Sequence, residues 1–151
     1  MDELIQLAHE RACERLIHSF ARALDQYDYA AALRLWADDG VFVALGREHK
    51  GHSGLLDWMN QREKDMVCRH IVTNIVVDVQ SETHASASAY CSAWRVRGWR
   101  GREPGPMSLP AYVVEYTDAF VRDPAKGWLL SRRDVAVALA GVEQRQALRS
   151  G

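Results

Sequence analysis

The order of two hydrophobic periodicities constrains the fold of this chain more than any other feature of its sequence. Residues 3–23 place apolar side chains three and four positions apart, which is the spacing of an amphipathic helix. The second half instead contains four long strand-like segments, at 69–80, 84–99, 109–123 and 128–140. Helices followed by hairpin-joined strands predict an α+β fold, with helices on one face of an antiparallel sheet. Because long strands twist and curl, we expect the concave face to form a pocket under the helices.

The segment between these two halves predicts shorter elements. Asp28 is suited to cap a short helix at 29–36, because its carboxylate can accept hydrogen bonds from open backbone N–H groups. The sequence ADDG is typical of a helix end, with Gly40 in the left-handed conformation. The five residues that follow, VFVAL, are mostly β-branched or aromatic and predict a strand. Ser53 is suited to cap a third helix at 54–65.

Composition and charge limit the partners and the location to expect. The chain has 151 residues, a net charge of −1 and 48% hydrophobic residues, so we expect one domain, residues 1–151, with one sizeable core. The lack of a basic excess argues against nucleic acid as a partner. No apolar run reaches the ~18 residues of a membrane-spanning helix, and the N-terminal sequence does not fit a signal peptide. Three scattered cysteines without a CxxC pair predict a cytoplasmic protein with reduced thiols.

Asp25 is the first candidate for chemistry, at the end of the predicted first helix. Asp28 is the better capping residue, so the carboxylate of Asp25 is not needed for that role. Asp25 lies on the same side of the helix as Phe20, Ala21 and Leu24, and a carboxylate near an apolar face is costly unless it is paired. Unless Asp25 simply faces water, it needs a partner from elsewhere in the fold.

His70 is the candidate partner, at the start of the first long strand. Strand alternation groups His70 with Val72, Asn74, Val76 and Asp78 on a mixed face, while the alternate positions 71–79 form an apolar face that we expect to contact the main core. The mixed face fits a pocket wall, although a strand-edge histidine bonded to backbone is the alternative. An Asp–His pair is chemically useful, because the carboxylate orients the imidazole and stabilises its charged form. The imidazole can then exchange a proton near neutral pH.

Aromatic residues are the expected lining of the predicted pocket, and a place in the core is the alternative for each. The candidates for contact with a ligand are Phe20, Trp36, Phe42, Trp58, Tyr90, Trp94 and Tyr112. Asp118 and Asp134 lie in apolar strand segments, where ion pairs with Arg132 or Arg133 are the expected arrangement.

No pattern in the chain predicts a bound metal or cofactor. His49 and His52 lie close together, but a zinc site needs three or four ligands and nothing nearby in the sequence supplies the others. No glycine-rich phosphate-binding loop occurs either. We therefore expect chemistry that depends on side chains alone.

Three segments together resemble a known family. The sequences RLIHSFARALDQYDYAAALRLWADDGVF, CRHIVTNIVVDV and YVVEYTDAFVRDPAKGWLLSRRDVAV are similar to the SnoaL-like branch of the nuclear transport factor two-like superfamily, over roughly residues 5–139. This resemblance implies a cone, in which a strongly curved antiparallel sheet wraps an internal pocket closed by N-terminal helices. Scytalone dehydratases and hexachlorocyclohexane dehydrochlorinases belong to this branch, and the resemblance implies that Asp25 and His70 form their catalytic dyad. Leu24 and Phe20 replace a tyrosine and a lysine of those enzymes, so neither substrate is implied.

The function that these features favour is a cofactor-independent lyase or isomerase. His70, oriented by Asp25, would remove a proton from a small apolar or aromatic cyclic molecule, and elimination or a double-bond shift would follow. The alternatives are a polyketide cyclase, or a non-catalytic domain of the same fold that binds a ligand or builds an oligomer. The resemblance also implies a homo-oligomer, a dimer or a trimer.

Overall fold

The computed structural model describes residues 2–99, 103–107 and 109–149, and it confirms the α+β class. The helices are α1 (Glu3–Asp25), α2 (Tyr29–Leu33), α3 (Gly51–Asn60) and α4 (Val142–Arg149). The strands are β1 (Trp36–Ala44), β2 (Arg47–Lys50), β3 (Met66–Val79), β4 (His84–Arg97), β5 (Tyr112–Asp123) and β6 (Gly127–Ala140). Within the described ranges, no helix combines the length and the apolar character needed to cross a bilayer.

All six strands form one curved sheet that does not close into a barrel, in the order β2-β1-β6-β5-β4-β3. The four long strands β3 to β6 follow one another as antiparallel neighbours, as predicted. β1 differs, because it pairs with β6 in parallel, so the sheet is mixed. This pairing arises because the chain passes through α3 from β2 at one edge of the sheet to β3 at the other.

β1 begins earlier than the sequence predicts, and the predicted helix before it is shorter. Asp28 caps α2 as expected, with its side chain accepting from the backbone N–H of Ala31 at 2.9 Å. The prediction that Gly40 ends this helix is wrong, because Gly40 lies inside β1. A Cβ at Gly40 would lie 2.8 Å from Cε3 of Trp36, so the glycine is required for close packing rather than for a turn. The glycine at this position therefore reflects close packing against Trp36 and not a left-handed helix end.

α3 begins and ends earlier than the predicted range 54–65. Its N-cap position is Lys50, which makes no side-chain capping hydrogen bond, and Ser53 lies inside the helix. The predicted capping role of Ser53 is therefore wrong. Gly51 adopts a positive φ of 65° at the junction of β2 and α3, and a glycine reaches that conformation without steric cost.

β3 changes the face that it presents to the core halfway along its length. Asn74 has a φ of 54°, and the pairing with β4 shifts register between Thr73 and Val76, which marks a bulge. Before the bulge the side chain of His70 is directed inward and Ile71 is 52% exposed, and after it Val76 is 65% exposed. The prediction of one continuous apolar face is therefore wrong, because the extra residue exchanges the two faces.

The core lies between α1 and the concave face of the sheet, where α1 packs on β3 and β6. The inward positions of β4 are small: Ala85, Ala87, Ala89, Cys91 and Ala93 are all buried. Small side chains leave room for α1 and for a cavity beyond its C-terminal end. The packing of α1 across β3 brings Asp25, its last residue, against the start of the strand.

Candidate functional site

Asp25 and His70 are in direct contact where the end of α1 meets β3. Nδ1 of His70 lies 2.6 Å from Oδ1 of Asp25, and the backbone N–H of His70 donates to Oδ2 at 2.9 Å. Only 10% of the His70 side chain and 11% of the Asp25 side chain are exposed. One carboxylate thus holds both the backbone and the ring of His70. Sγ of Cys68 lies 3.7 Å from Nδ1 and 4.0 Å from Nε2. Because Nδ1 is engaged by Asp25 at the much shorter distance, Nε2 is the ring nitrogen left for a ligand.

The contact changes the pKa of both groups. Burial disfavours the ionised carboxylate of Asp25, but the hydrogen bonds from His70 outweigh it and hold the pKa of this carboxyl below its usual range. Burial also disfavours the imidazolium of His70, yet hydrogen bonds with Asp25 and Cys68 raise the pKa of the imidazole above its usual ~6.5. The two shifts have a common origin, since each charged form stabilises the other. His70 is therefore a stronger base than a free histidine.

A cavity of about 270 Å³ lies on the inner side of His70. Its walls come from α1, β1, the region of α3, and the inner faces of β4, β5 and β6. The lining residues are Phe20, Leu24, Phe42, Ala44, Leu45, Trp58, Arg62, His70, Ala93, Arg95, Tyr112, Val114, Tyr116, Arg133, Val135 and Val137. Asp25 does not line this cavity but lines a second groove with Arg22, Arg69 and His70, so His70 borders both. In this arrangement the imidazole reaches the cavity and the carboxylate supports it from behind.

Four of the seven aromatic residues that the sequence suggested for ligand contact line this cavity: Phe20, Phe42, Trp58 and Tyr112. Trp36 does not, because it is 1% exposed and packs edge-on against Phe20 and Phe42 in the core.

Tyr90 and Trp94 are likewise not among the residues that line the cavity, because they alternate with the buried alanines of β4 and so lie on the outer face of the sheet. The structure therefore places Trp36, Tyr90 and Trp94 outside the lining of this cavity. The strict repeat of small residues at odd positions from 85 to 93 was the signal that identifies the inner face.

The cavity is also lined by three arginines that sequence reasoning did not assign to it: Arg62, Arg95 and Arg133. Arg133 makes a buried bidentate pair with Asp118, with distances of 2.7 and 2.6 Å, which confirms the predicted ion pair. Asp134 pairs with Arg132 at 2.6 Å, also as predicted. Arg95 continues the odd-numbered inward positions of β4, the direction of Arg133 depends on the register of β6, and Arg62, which follows α3, is directed by its contact with Leu24.

The cluster of Asp25, Cys68 and His70 brings three groups that could ligate a metal ion within 4.8 Å of one another. The shortest of these distances, 2.6 Å between Oδ1 and Nδ1, is that of a hydrogen bond. Two ligands of one tetrahedral zinc ion, with bonds near 2.0–2.1 Å, would lie about 3.3 Å apart. The geometry of the described residues thus fits a hydrogen-bonded dyad, and we expect no metal there.

A curved sheet that packs against helices over a cavity is the arrangement found in nuclear transport factor two-like proteins. The chain belongs to the SnoaL-like domain family, whose model matches residues 6–134. The resemblance seen in the sequence is thereby confirmed. No curated protein sequence matches the chain significantly.

Solved structures with the same fold include enzymes by name. One is a putative scytalone dehydratase from Novosphingobium aromaticivorans, with 20% identity, a TM-score of 0.73, and 91% of this chain and 89% of that chain covered. A second is an NTF2-like protein with a cystatin-like fold from the same organism, with 25% identity, a TM-score of 0.75 and 96% and 91% coverage. A third is a hexachlorocyclohexane dehydrochlorinase from Novosphingobium barchaimii, with 18% identity, a TM-score of 0.74 and 93% coverage of both chains. At these identities the similarities establish the fold.

Proposed function

We propose that this protein is a cofactor-independent lyase or isomerase in which His70 removes a proton from a C–H group of a small cyclic substrate. The observation that carries the proposal is the hydrogen bond between Asp25 and His70 at the wall of a largely apolar cavity. A cavity of this kind favours small apolar or aromatic molecules. Structural relatives named as a dehydratase and a dehydrochlorinase support a reaction of the elimination class.

The proposed chemistry follows from the contacts of the imidazole. In the neutral ring, Nδ1–H donates to Asp25 and the lone pair of Nε2 is free to accept a proton from carbon. In an elimination, the electron pair of the broken C–H bond forms a C=C bond as hydroxide or halide leaves the adjacent carbon, and the proton on Nε2 passes to the hydroxide to give water or, when halide leaves, to solvent. In an isomerisation no group leaves: the electron pair is delocalised into an adjacent double bond, and the proton on Nε2 returns to another carbon. Asp25 stabilises the imidazolium throughout, without itself being protonated.

The experiment is a screen of cyclic alcohols, hydroxy-ketones and haloalkanes for elimination, with deuterium uptake by cyclic ketones in D2O as a parallel assay of proton abstraction. His70→Gln should lower turnover about 10²- to 10⁴-fold, because general base catalysis is lost. Its melting temperature should stay within a few degrees, because glutamine keeps a polar group beside Asp25. His84→Gln, at an exposed position at the start of β4, is the matched control and should have no effect.

Two results would count against the proposal. Undiminished turnover by the His70→Gln protein would show that His70 is not the base. A wild-type protein that leaves every compound unchanged would favour a non-catalytic binding domain instead. Products that contain a new ring, rather than a new double bond, would identify a cyclase that uses the same base.

We further infer that the protein forms a homo-oligomer, a dimer or a trimer, through the outer face of the sheet. Ile71, Val76 and Tyr90 are each about half exposed or more on β3 and β4, and contact with a partner would remove them from water. Light scattering should give a multiple of the 17.1 kDa chain mass. Tyr90→Lys should reduce that mass toward the monomer, and a monomeric wild-type protein would contradict the inference.

The cellular setting that we propose is the cytoplasm. Cys13, Cys68 and Cys91 are all free and buried, as expected for thiols in a reducing compartment. The net charge of −1 gives no reason to propose nucleic acid as a partner. Fractionation of cells that produce the protein is the corresponding measurement.

A further inference from the structure

Arg62 and Arg95 line the cavity, and each has one N–H donor that is buried inside the cavity wall without a hydrogen-bond partner among the described residues. Both residues line the cavity beside His70. Nη2 of Arg62 and Nε of Arg95 are inaccessible to solvent and make no hydrogen bond within the described ranges 2–99, 103–107 and 109–149. An unsatisfied buried donor on a charged group is costly, which indicates that neither guanidinium is fully satisfied within the described residues. Because a guanidinium carries five N–H donors, a ligand in the cavity would accept from the other N–H groups of these two residues.

The register of the sheet places Arg95 close to the dyad. Cys68 pairs with Arg95 and His70 pairs with Ala93 across β3 and β4, so all four residues lie on the inner face. A diagonal pair of this kind has Cα atoms roughly 7–8 Å apart, which is within reach of a long side chain. The guanidinium of Arg95 stacks over the ring of Tyr112 at 5.2 Å. This stacking fixes the plane of the guanidinium against the cavity wall.

Arg62 is held at the other side of the dyad by α1. Its Nη1 donates to the carbonyl of Leu24 at 2.8 Å, next to Asp25 in the chain. Its guanidinium lies 5.3 Å from the centroid of the Tyr27 ring. Nη1 thus caps a backbone carbonyl at the C-terminal end of α1, while Nη2 has no partner among the described residues.

The charge on these two arginines is not compensated in the way that the charge on Arg133 is. Arg133 is neutralised by Asp118. Among the ion pairs formed between described residues, none joins Arg62 or Arg95 to a carboxylate, and neither Asp25 nor Asp118 lines the cavity. A cavity wall with two such cations has a positive potential, which favours an anionic ligand.

We propose that the natural substrate carries a carboxylate, or an equally planar anionic oxygen group, that accepts hydrogen bonds from Arg62 and Arg95. This inference rests on the proposed function, since it places the anionic group on the molecule whose C–H bond faces His70. Guanidinium groups match planar carboxylates in geometry and charge. The anionic group would fix the ring of the substrate in one orientation toward Nε2.

The test is calorimetric binding of benzoate, with benzamide as the neutral molecule of the same shape. The wild-type protein should bind benzoate at least tenfold more tightly than benzamide. Arg95→Gln and Arg62→Gln should each weaken benzoate binding about tenfold and leave benzamide binding unchanged, which also shows that the variants are folded. Arg97→Gln removes an exposed arginine from the same strand and should change neither affinity.

Equal affinity of the wild-type protein for the two molecules, or no binding of benzoate, would overturn the inference. An equal loss in the Arg97→Gln protein would also overturn it, since that result indicates general attraction rather than a site. The binding assay requires no turnover, so it is separate from the test of His70. If His70→Gln keeps turnover but benzoate is still preferred, only the proposed base is wrong. If elimination occurs on neutral compounds and benzoate is not preferred, only this inference is wrong.

Discussion

Two buried acid–base pairs contribute to one cavity, and they differ in whether their protons can move. Asp118 and Arg133 are 1% and 2% exposed, joined by two short hydrogen bonds. The side chains of Asp25 and His70 are about one-tenth exposed, and one hydrogen bond joins the carboxylate to the imidazole ring. Arginine stays protonated at every accessible pH, whereas histidine titrates near neutrality. An aspartate therefore forms a permanent ion pair with Arg133, whereas with His70 it forms a pair whose imidazole can gain and lose a proton.

The surroundings of the two pairs agree with this difference. The guanidinium of Arg133 lies 4.0 Å from the centroid of Tyr116 and 5.5 Å from that of Phe20, so aromatic rings enclose it. Burial raises the pKa of Tyr116, which keeps its hydroxyl neutral beside this pair. Both Arg133 and His70 line the cavity, but only the pair that contains histidine can gain and lose a proton near neutral pH and so serve acid–base chemistry.

The largest effect should come from breaking the enclosed pair. Arg133→Met leaves the carboxylate of Asp118 buried without a partner and should lower the free energy of unfolding by about 3–5 kcal/mol. Urea denaturation measures this loss. Arg132→Met, which breaks the more exposed pair with Asp134, is the control and should cost far less, because a solvent-exposed ion pair contributes little to stability. Similar losses in the two variants would mean that burial does not distinguish the pairs.

Removing the charge of Asp25 from the Asp25–His70 pair should have a large effect on turnover and a smaller one on stability. Asp25→Asn removes the charge that favours the imidazolium, so turnover should fall on the order of 10²-fold. Asp28→Asn, three residues later, should be nearly silent, because asparagine caps helices as well as aspartate does. Steady-state kinetics on any substrate found in the screen compares the two variants. Full activity of the Asp25→Asn protein would remove Asp25 from the mechanism.

A smaller effect should appear in the pH dependence of stability. The pKa of His70 is raised in the folded state, so its contribution is complete below the unfolded value of ~6.5 and is lost as pH rises through the folded value. The pKa of Asp25 is lowered, so its contribution is present above ~3.9 and is lost as pH falls through the folded value.

The pair should therefore stabilise the protein most between about pH 4 and 6.5. Urea midpoints of the wild-type and His70→Gln proteins, measured from pH 3 to 9, should differ most in that window. A difference that does not vary with pH would show that His70 and Asp25 are not coupled.

The parts of the site that local patterns determine could be predicted from the sequence. The periodicity of α1 placed Asp25 at the helix end, and the start of β3 placed His70 at its strand position. Asp28 was identified as a cap because capping depends on a few neighbouring backbone groups. The pairing of Asp25 with His70 across 45 positions needed the family resemblance as well, since no local rule joins them.

The parts that depend on long-range register could not be predicted. The bulge at Asn74 exchanges the faces of β3, and nothing in the run of valines and isoleucines around it indicates the extra residue. The inward direction of Arg62 follows from its contact with Leu24, and that of Arg133 from the register of β6. The alanine repeat of β4 does predict that Tyr90 lies outside the cavity, provided that the small residues and not the aromatic ones are assigned to the inner face.

The central claim is that Asp25 holds Nδ1–H of His70 and leaves Nε2 free as a base toward the cavity. Two-dimensional ¹⁵N NMR of the histidine side chains, recorded across pH in the wild-type and Asp25→Asn proteins, tests it most directly. We expect the neutral ring of His70 to carry its proton on Nδ1, with a pKa above ~6.5 that falls in the Asp25→Asn protein. A neutral ring protonated on Nε2, or a pKa that the substitution leaves unchanged, would contradict the account.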